Sequence, residues 1–103
     1  MKTAMDSSYV VAHNPAQSRF EVALGDDTAV CDYRRIGRLM VLPHTWVPPA
    51  QEGRGMAAAM VAATLSHARA LGLKVRPSCS YAAAYMRRHP DTLDLLESGS
   101  TAS

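Results

Sequence analysis

The feature that most constrains this chain is a proline-stiffened turn that passes through two glycines into the longest helical pattern of the sequence. It reads Pro48-Pro49-Ala50-Gln51-Glu52-Gly53-Arg54-Gly55-Met56-Ala57-Ala58-Ala59-Met60-Val61. Glycines at 53 and 55 permit left-handed backbone and let a ligand approach without Cβ atoms in the way. The helix that starts there offers free N–H groups and the positive end of its dipole. Together these features suit an anion, with pyrophosphate as the usual occupant. The third glycine of a dinucleotide fingerprint and the Gly-Lys-Ser/Thr of nucleotide hydrolases are both missing. On its own the stretch therefore reads as well as a plain helix start.

The pattern on either side of that helix sets the fold class. Residues 1–17 show no sustained period and are expected to form a flexible arm, with Asn14-Pro15 marking its end. Phe20, Val22 and Leu24 then alternate with Arg19, Glu21 and Ala23, the period of a half-buried strand. Gly25-Asp26-Asp27 reads as a turn. A second strand follows from Thr28, with Ala29, Cys31 and Tyr33 on one face and Asp32 and Arg34 on the other. A third strand, Leu39 to Val47, is apolar on both faces up to Leu42, which predicts cover on both sides. Pro43 cannot donate a ladder hydrogen bond and predicts a bulge or the point where pairing stops.

The helix is expected from about Gly53 to Leu71, with apolar stripes Met56, Met60, Ala63 and Ala57, Val61, Leu65, Ala68, and with Gly72 as its left-handed cap. A short strand, Leu73 to Arg76, returns by a crossover and so runs parallel to the third. Ser78 or Ser80 can cap a second helix, Tyr81 to Arg88, which His89-Pro90 interrupts. A last short helix from Asp91 to Glu97 docks through Leu93, Leu95 and Leu96, and residues 98–103 read as a frayed tail. The result is a mixed α and β domain of order β-β-β-α-β-α over residues 18–97.

Composition bounds the rest. At 103 residues, 48% hydrophobic and 19% charged, the chain reads as one globular domain. No apolar run approaches the roughly 20 residues of a membrane span, and the polar start does not read as a secretory signal, so a cytoplasmic protein is expected. A net charge of +2 is too small to argue for nucleic acid. Cys31 and Cys79 lie in unlike contexts, which argues against a disulfide, and no Cys/His spacing suits zinc.

With that order in place, the chain resembles the GCN5-related N-acetyltransferase (GNAT) superfamily over roughly Phe20 to Leu96. The residues that carry the resemblance are Glu52-Gly53-Arg54-Gly55-Met56-Ala57 after His44-Thr45-Trp46-Val47-Pro48, then Pro77-Ser78-Cys79-Ser80-Tyr81 and Tyr85-Met86-Arg87-Arg88-His89-Pro90. Glu52 departs from the Gln or Arg usual at the head of the superfamily motif, and short single-domain members resemble this chain in having the acid. The resemblance implies acetyl-coenzyme A lying between the third strand and Val75, with pyrophosphate on the N–H groups of about Arg54 to Ala59, including those of Met56, Ala57 and Ala58. It implies acetyl transfer to an amine without a metal, and a backbone N–H of Trp46 or Val47 as donor to the developing oxyanion.

Three side chains are candidates for the chemistry. Tyr85 lies seven residues after Ser78, where larger relatives carry a tyrosine that can protonate the leaving thiolate. Cys79 stands before a helix N-terminus, and its thiol could form an acetyl-cysteine or line the pocket. His44, at the bulged strand end, could accept a proton from the amine. Arg54, Arg87 and Arg88 are cations toward the phosphate end, although Arg87 and Arg88 also read as a solvated helix face. His13 falls in the arm; His67 and His89 read as structural.

Two rival readings stand beside this one. A non-catalytic acyl-coenzyme A module would explain why the cofactor side is better marked than the acceptor side. A small nucleic-acid or protein interaction domain would use Arg34, Arg35 and Arg38, but a single Phe offers no stacking array. The acceptor, whether a small amine or a protein, is not written in the sequence.

Overall fold

The computed structural model describes residues 9–97. Five strands form one sheet in the order β1 (Ala12–Asn14), β2 (Arg19–Leu24), β3 (Asp27–Ile36), β4 (Leu39–Trp46) and β5 (Lys74–Arg76). The first four are antiparallel neighbours, and β4 pairs with β5 in parallel through Leu39–Val41 and Lys74–Arg76. Between them run α1 (Met56–Ala70) and, after β5, α2 (Ser80–Arg88) and a 3₁₀ segment over Pro90–Leu95. The mixed α and β order expected from the sequence is thus observed, with one strand more.

Alternation explains why the hairpin forms. Phe20 and Val22 on β2 and Ala29, Cys31 and Tyr33 on β3 are all buried, whereas their neighbours in sequence are not. Gly25, at φ +70°, supplies the left-handed turn that joins them. Met40 and Leu42 of β4 and Val75 of β5 extend the same face, on which Met56, Met60, Val61, Leu65 and Ala68 of α1 pack. Gly72, at φ +70°, ends α1 with Leu73 N–H on the Ala68 carbonyl and Gly72 N–H on that of Arg69, which satisfies carbonyls the helix leaves open.

The structure corrects four expectations. Part of the expected arm is strand: Ala12–Asn14 pair with Arg19–Glu21, held by ring stacking of His13 on Phe20 (centroids 4.5 Å apart) and by Asn14 Nδ2 on Glu21 (2.8 Å). Residues 1–8 of that arm, and the 98–103 tail, lie outside the described residues. The third expected strand is not covered on both sides. Leu39 and Val41 are half-buried, and Val41 sits in register between the exposed Arg34 and Arg76. Neither serine caps α2; Cys79 occupies the cap position without a side-chain bond. Leu95 docks in the core and Leu96 against it, but Leu93 remains 38% exposed.

At the far end of α1, His67 meets the rings of His13, Phe20 and Tyr33, and His13 Nε2 lies 2.6 Å from the Tyr33 hydroxyl. Burial chiefly, then the neighbouring His13 and Arg35, holds the His67 pKa below its ordinary value. The folded chain therefore resists protonation that the unfolded chain accepts near pH 6.5, and stability is lost as pH falls below that value. Melting curves between pH 7.5 and 5.5 should show Tm falling, with a shallower slope in His67→Phe. Equal slopes would contradict the assignment.

Candidate functional site

The site grows from the point where β4 and β5 part. Their pairing ends at Val41 and Arg76, while β4 runs on to Trp46. Beyond that point the chain from β5 turns through Pro77 and Ser78, and Cys79 N–H donates to the Leu42 carbonyl at 2.8 Å. The last residues of β4 and the start of α2 therefore face each other where the strand pairing ends, and the space beyond them is the candidate cleft.

The bulge decides which side chains face that cleft. Asp32 pairs with His44 and Arg34 with Val41, so Leu42 and Pro43 together oppose Tyr33. One extra residue on β4 inverts the alternation beyond it. Thr45 thus joins the buried face opposite Cys31, and His44 and Trp46 turn to the other face, opposite Asp32 and Val30. There His44 Nδ1 lies 3.3 Å from the Asp32 carboxylate, with more than half of its side chain exposed. His44 is not brought together with Cys79.

Cys79 meets Thr45 instead, with Sγ 3.6 Å from Thr45 Oγ1. Thr45 Oγ1 is 3.8 Å from Cys31 Sγ, which is 3.5 Å from Thr64 Oγ1, and that hydroxyl lies 2.8 Å from the Met60 carbonyl. Because each hydroxyl or thiol has one proton to give, one direction satisfies all of them. Cys79 donates to Thr45, Thr45 to Cys31, Cys31 to Thr64, and Thr64 to the backbone of α1. Thr64, fully buried, is the polar residue that the apolar stripes did not reveal. Burial pushes the Cys31 thiol pKa up, which leaves Cys79 as the more exposed thiol at the cleft.

Across the cleft, the turn after β4 behaves as its glycines require. A 3₁₀ turn at Pro49–Gln51 leads to Gly53 at φ +80° and Gly55 at φ +84°. A Cβ at either glycine would meet nothing within 4 Å, so backbone conformation rather than crowding selects glycine. No side chain caps α1, and its first turn carries no acid. The amides of Met56, Ala57 and Ala58 thus begin a helix whose positive end is uncompensated by its own sequence. Glu52 and Arg54 are both exposed on this loop, and Val47 lies just past the last paired residue of β4.

The two tyrosines of α2 divide. Tyr85 is buried, stacks on His89 (centroids 3.9 Å) and lines a cavity of about 140 Å³ with Leu65, Ser66 and Arg69 of α1. Tyr81, one turn before Tyr85, is half-buried; burial raises its hydroxyl pKa, with the Arg88 guanidinium acting in the opposite direction. Of the expected residues, then, Cys79 sits at the start of α2 against Thr45. The amides of Gly55 to Ala58 open α1, Ala59 N–H being bonded to the Gly55 carbonyl, whereas Tyr85 is buried between α2 and α1. Thr45, which touches Cys79, and the half-buried Tyr81 are candidates that sequence reasoning missed.

Comparison with known proteins agrees with this fold. A family model described as GCN5-related N-acetyl-transferase matches residues 19–95. Protein NATD1 of Mus musculus is 35% identical over 83 residues, covering 78% of this chain and 76% of the mouse protein; the Homo sapiens protein is equally similar, with 74% of it covered. The NMR structure of a GCN5-like protein from Staphylococcus aureus superposes with a TM-score of 0.65 at 21% identity, covering 87% of this chain and 89% of the other. The chain belongs to the GCN5-related N-acetyltransferase family.

Proposed function

We propose that this chain binds acetyl-coenzyme A in the cleft between β4 and β5 and transfers the acetyl group to an amine. The observation that carries the reading is the loop of two left-handed glycines feeding an uncapped α1 beside the split of the strands. The fit can be judged from the residues themselves. Successive backbone amides at a helix start bind phosphate oxygens without side-chain help, and the open space above Gly53 and Gly55 leaves room for such a group. Acetyl-coenzyme A, when bound, supplies the activated acetyl thioester.

The protein's part is to hold, orient and move protons. The N–H groups of Gly55 to Ala58 hold the pyrophosphate, that of Ala59 being taken by the Gly55 carbonyl, with Arg54 and Arg88 as exposed cations toward it. The backbone N–H of Val47, beyond the strand pairing, is the donor for a developing oxyanion. Cys79, with Thr45 behind it, is the side chain closest to the reacting end, and Tyr81 is the hydroxyl available to it. The open sheet face beyond His44 and Asp32 suits an acceptor presented from a larger molecule, such as a protein amine.

Turnover of acetyl-coenzyme A against a panel of small amines and peptides tests the proposal. Cys79→Ala should lower kcat by roughly 10²-fold, the scale of a lost proton-transfer group, while Tyr85→Phe should stay within a factor of about two by the same scale. Coenzyme A binding without turnover on any amine would instead favour a non-catalytic acyl-coenzyme A module. That reading is favoured by the engagement of His44 with Asp32 on the other face.

A further inference from the structure

We infer that Tyr9 is a positioning residue for the anion-binding loop, and that it acts by fixing the plane of one peptide. The Tyr9 hydroxyl donates to the carbonyl of Arg54 at 2.7 Å, across 45 positions of sequence. Arg54 stands between the two left-handed glycines. In a trans peptide the C=O and the following N–H point in opposite directions. Holding the Arg54 carbonyl toward Tyr9 therefore aims the Gly55 N–H away from Tyr9, alongside the amides that open α1.

The hydrogen bonds around the loop fix its neighbours, Glu52 N–H on the Pro49 carbonyl before it and Ala59 N–H on the Gly55 carbonyl after it. They leave the Arg54–Gly55 peptide to Tyr9. Gly55 tolerates positive and negative φ about equally, so a flip of the Arg54–Gly55 peptide meets little backbone resistance. No side chain stands at either glycine's Cβ position to stiffen the loop. Tyr9, by contrast, is well placed to resist the flip. Its ring packs on the core, as does Val11, while Val10 between them is 85% exposed, the alternation of an extended segment. That segment runs directly into β1, which the pairing with β2 and the rings of Phe20, Tyr33 and His67 around His13 hold in place.

The role in binding rests on the coenzyme A reading of the loop; the role in aiming the peptide does not. Tyr9→Phe removes the hydroxyl and keeps the ring, so the chain folds. In the ligand-free protein, the Gly55 amide resonance in ¹⁵N spectra should shift or broaden in Tyr9→Phe, with the amides of Ala82 to Met86 unmoved. Coenzyme A, titrated by calorimetry, should bind the variant about three- to tenfold more weakly, the range of one hydrogen bond read through the fraction of loop in the competent form. An unmoved Gly55 amide overturns the inference. A moved amide with unchanged coenzyme A affinity overturns its role in binding. A moved amide in a chain whose wild type binds no coenzyme A supports the peptide-plane hold and overturns the cofactor reading instead.

Discussion

Gly55→Val is expected to leave the chain folded and to abolish its response to coenzyme A. Gly55 sits at φ +84°, and a Cβ there would touch nothing within 4 Å. The substitution therefore meets no clash at its Cβ and leaves no cavity; its main cost is conformational. A β-branched residue at positive φ is a true outlier, and strain of this kind costs roughly 1–3 kcal/mol. In a domain of this size that corresponds to a fall in Tm of about 5–15 °C. The chain escapes part of the cost by turning residue 55 to negative φ, which swings the Gly55 amide away and redirects the start of α1. Either way the donors no longer converge, and the increase in Tm that coenzyme A gives the wild type should vanish. A variant that melts lower yet keeps the full ligand-dependent increase would show that the loop does not hold the ligand.

Leu42→Ala should be the most destabilising single truncation near the site, at about 3 kcal/mol within the usual range of 2–5. Leu42 is 0% exposed, sits in the bulge, and offers its carbonyl to Cys79 N–H. Its side chain fills the core beneath the point where β4 leaves β5, and its backbone ties α2 to β4. Total stabilities of 5–15 kcal/mol make that loss a large share. Urea unfolding should show a lower midpoint with an unchanged slope, and Leu42→Met, which conserves volume, should cost less than about 1.5 kcal/mol. A loss below 1 kcal/mol for the alanine variant would place Leu42 outside the core that supports the cleft.

Much of this architecture was legible because it rests on simple periods. Phe20, Val22, Ala29, Cys31 and Tyr33 declare a one-sided hairpin, Gly72 ends a helix rich in alanine, and the crossover to Val75 then has to be parallel. β1 was not legible. Ala12-His13-Asn14 has no apolar alternation, and its place comes from ring contacts and an Asn14–Glu21 hydrogen bond that depend on the fold already being formed.

The site was half legible for a related reason. Pro43 announced the bulge, but the consequence of the bulge is a change of parity that only the register reveals. Without an extra residue His44 would share the face of Met40 and Leu42; with it, Thr45 does. The choice between Tyr81 and Tyr85 depends in the same way on where α2 begins, and Cys79, not a serine, proves to be its cap. Tyr9 bonds a loop 45 positions away, and no local pattern encodes such a contact.

The most direct test of the central claim is a thermal-shift titration of the wild-type chain with acetyl-coenzyme A, coenzyme A and ATP side by side. At 100 times the dissociation constant a bound ligand adds about 2.7 kcal/mol, or roughly 10 °C or more for a domain near 100 residues. The cleft described here predicts that increase with both coenzyme A species and little with ATP, which shares the adenosine and phosphates but lacks the arm that would lie between β4 and β5. No increase with either coenzyme A species would mean that the Gly53–Gly55 loop is only the start of a helix.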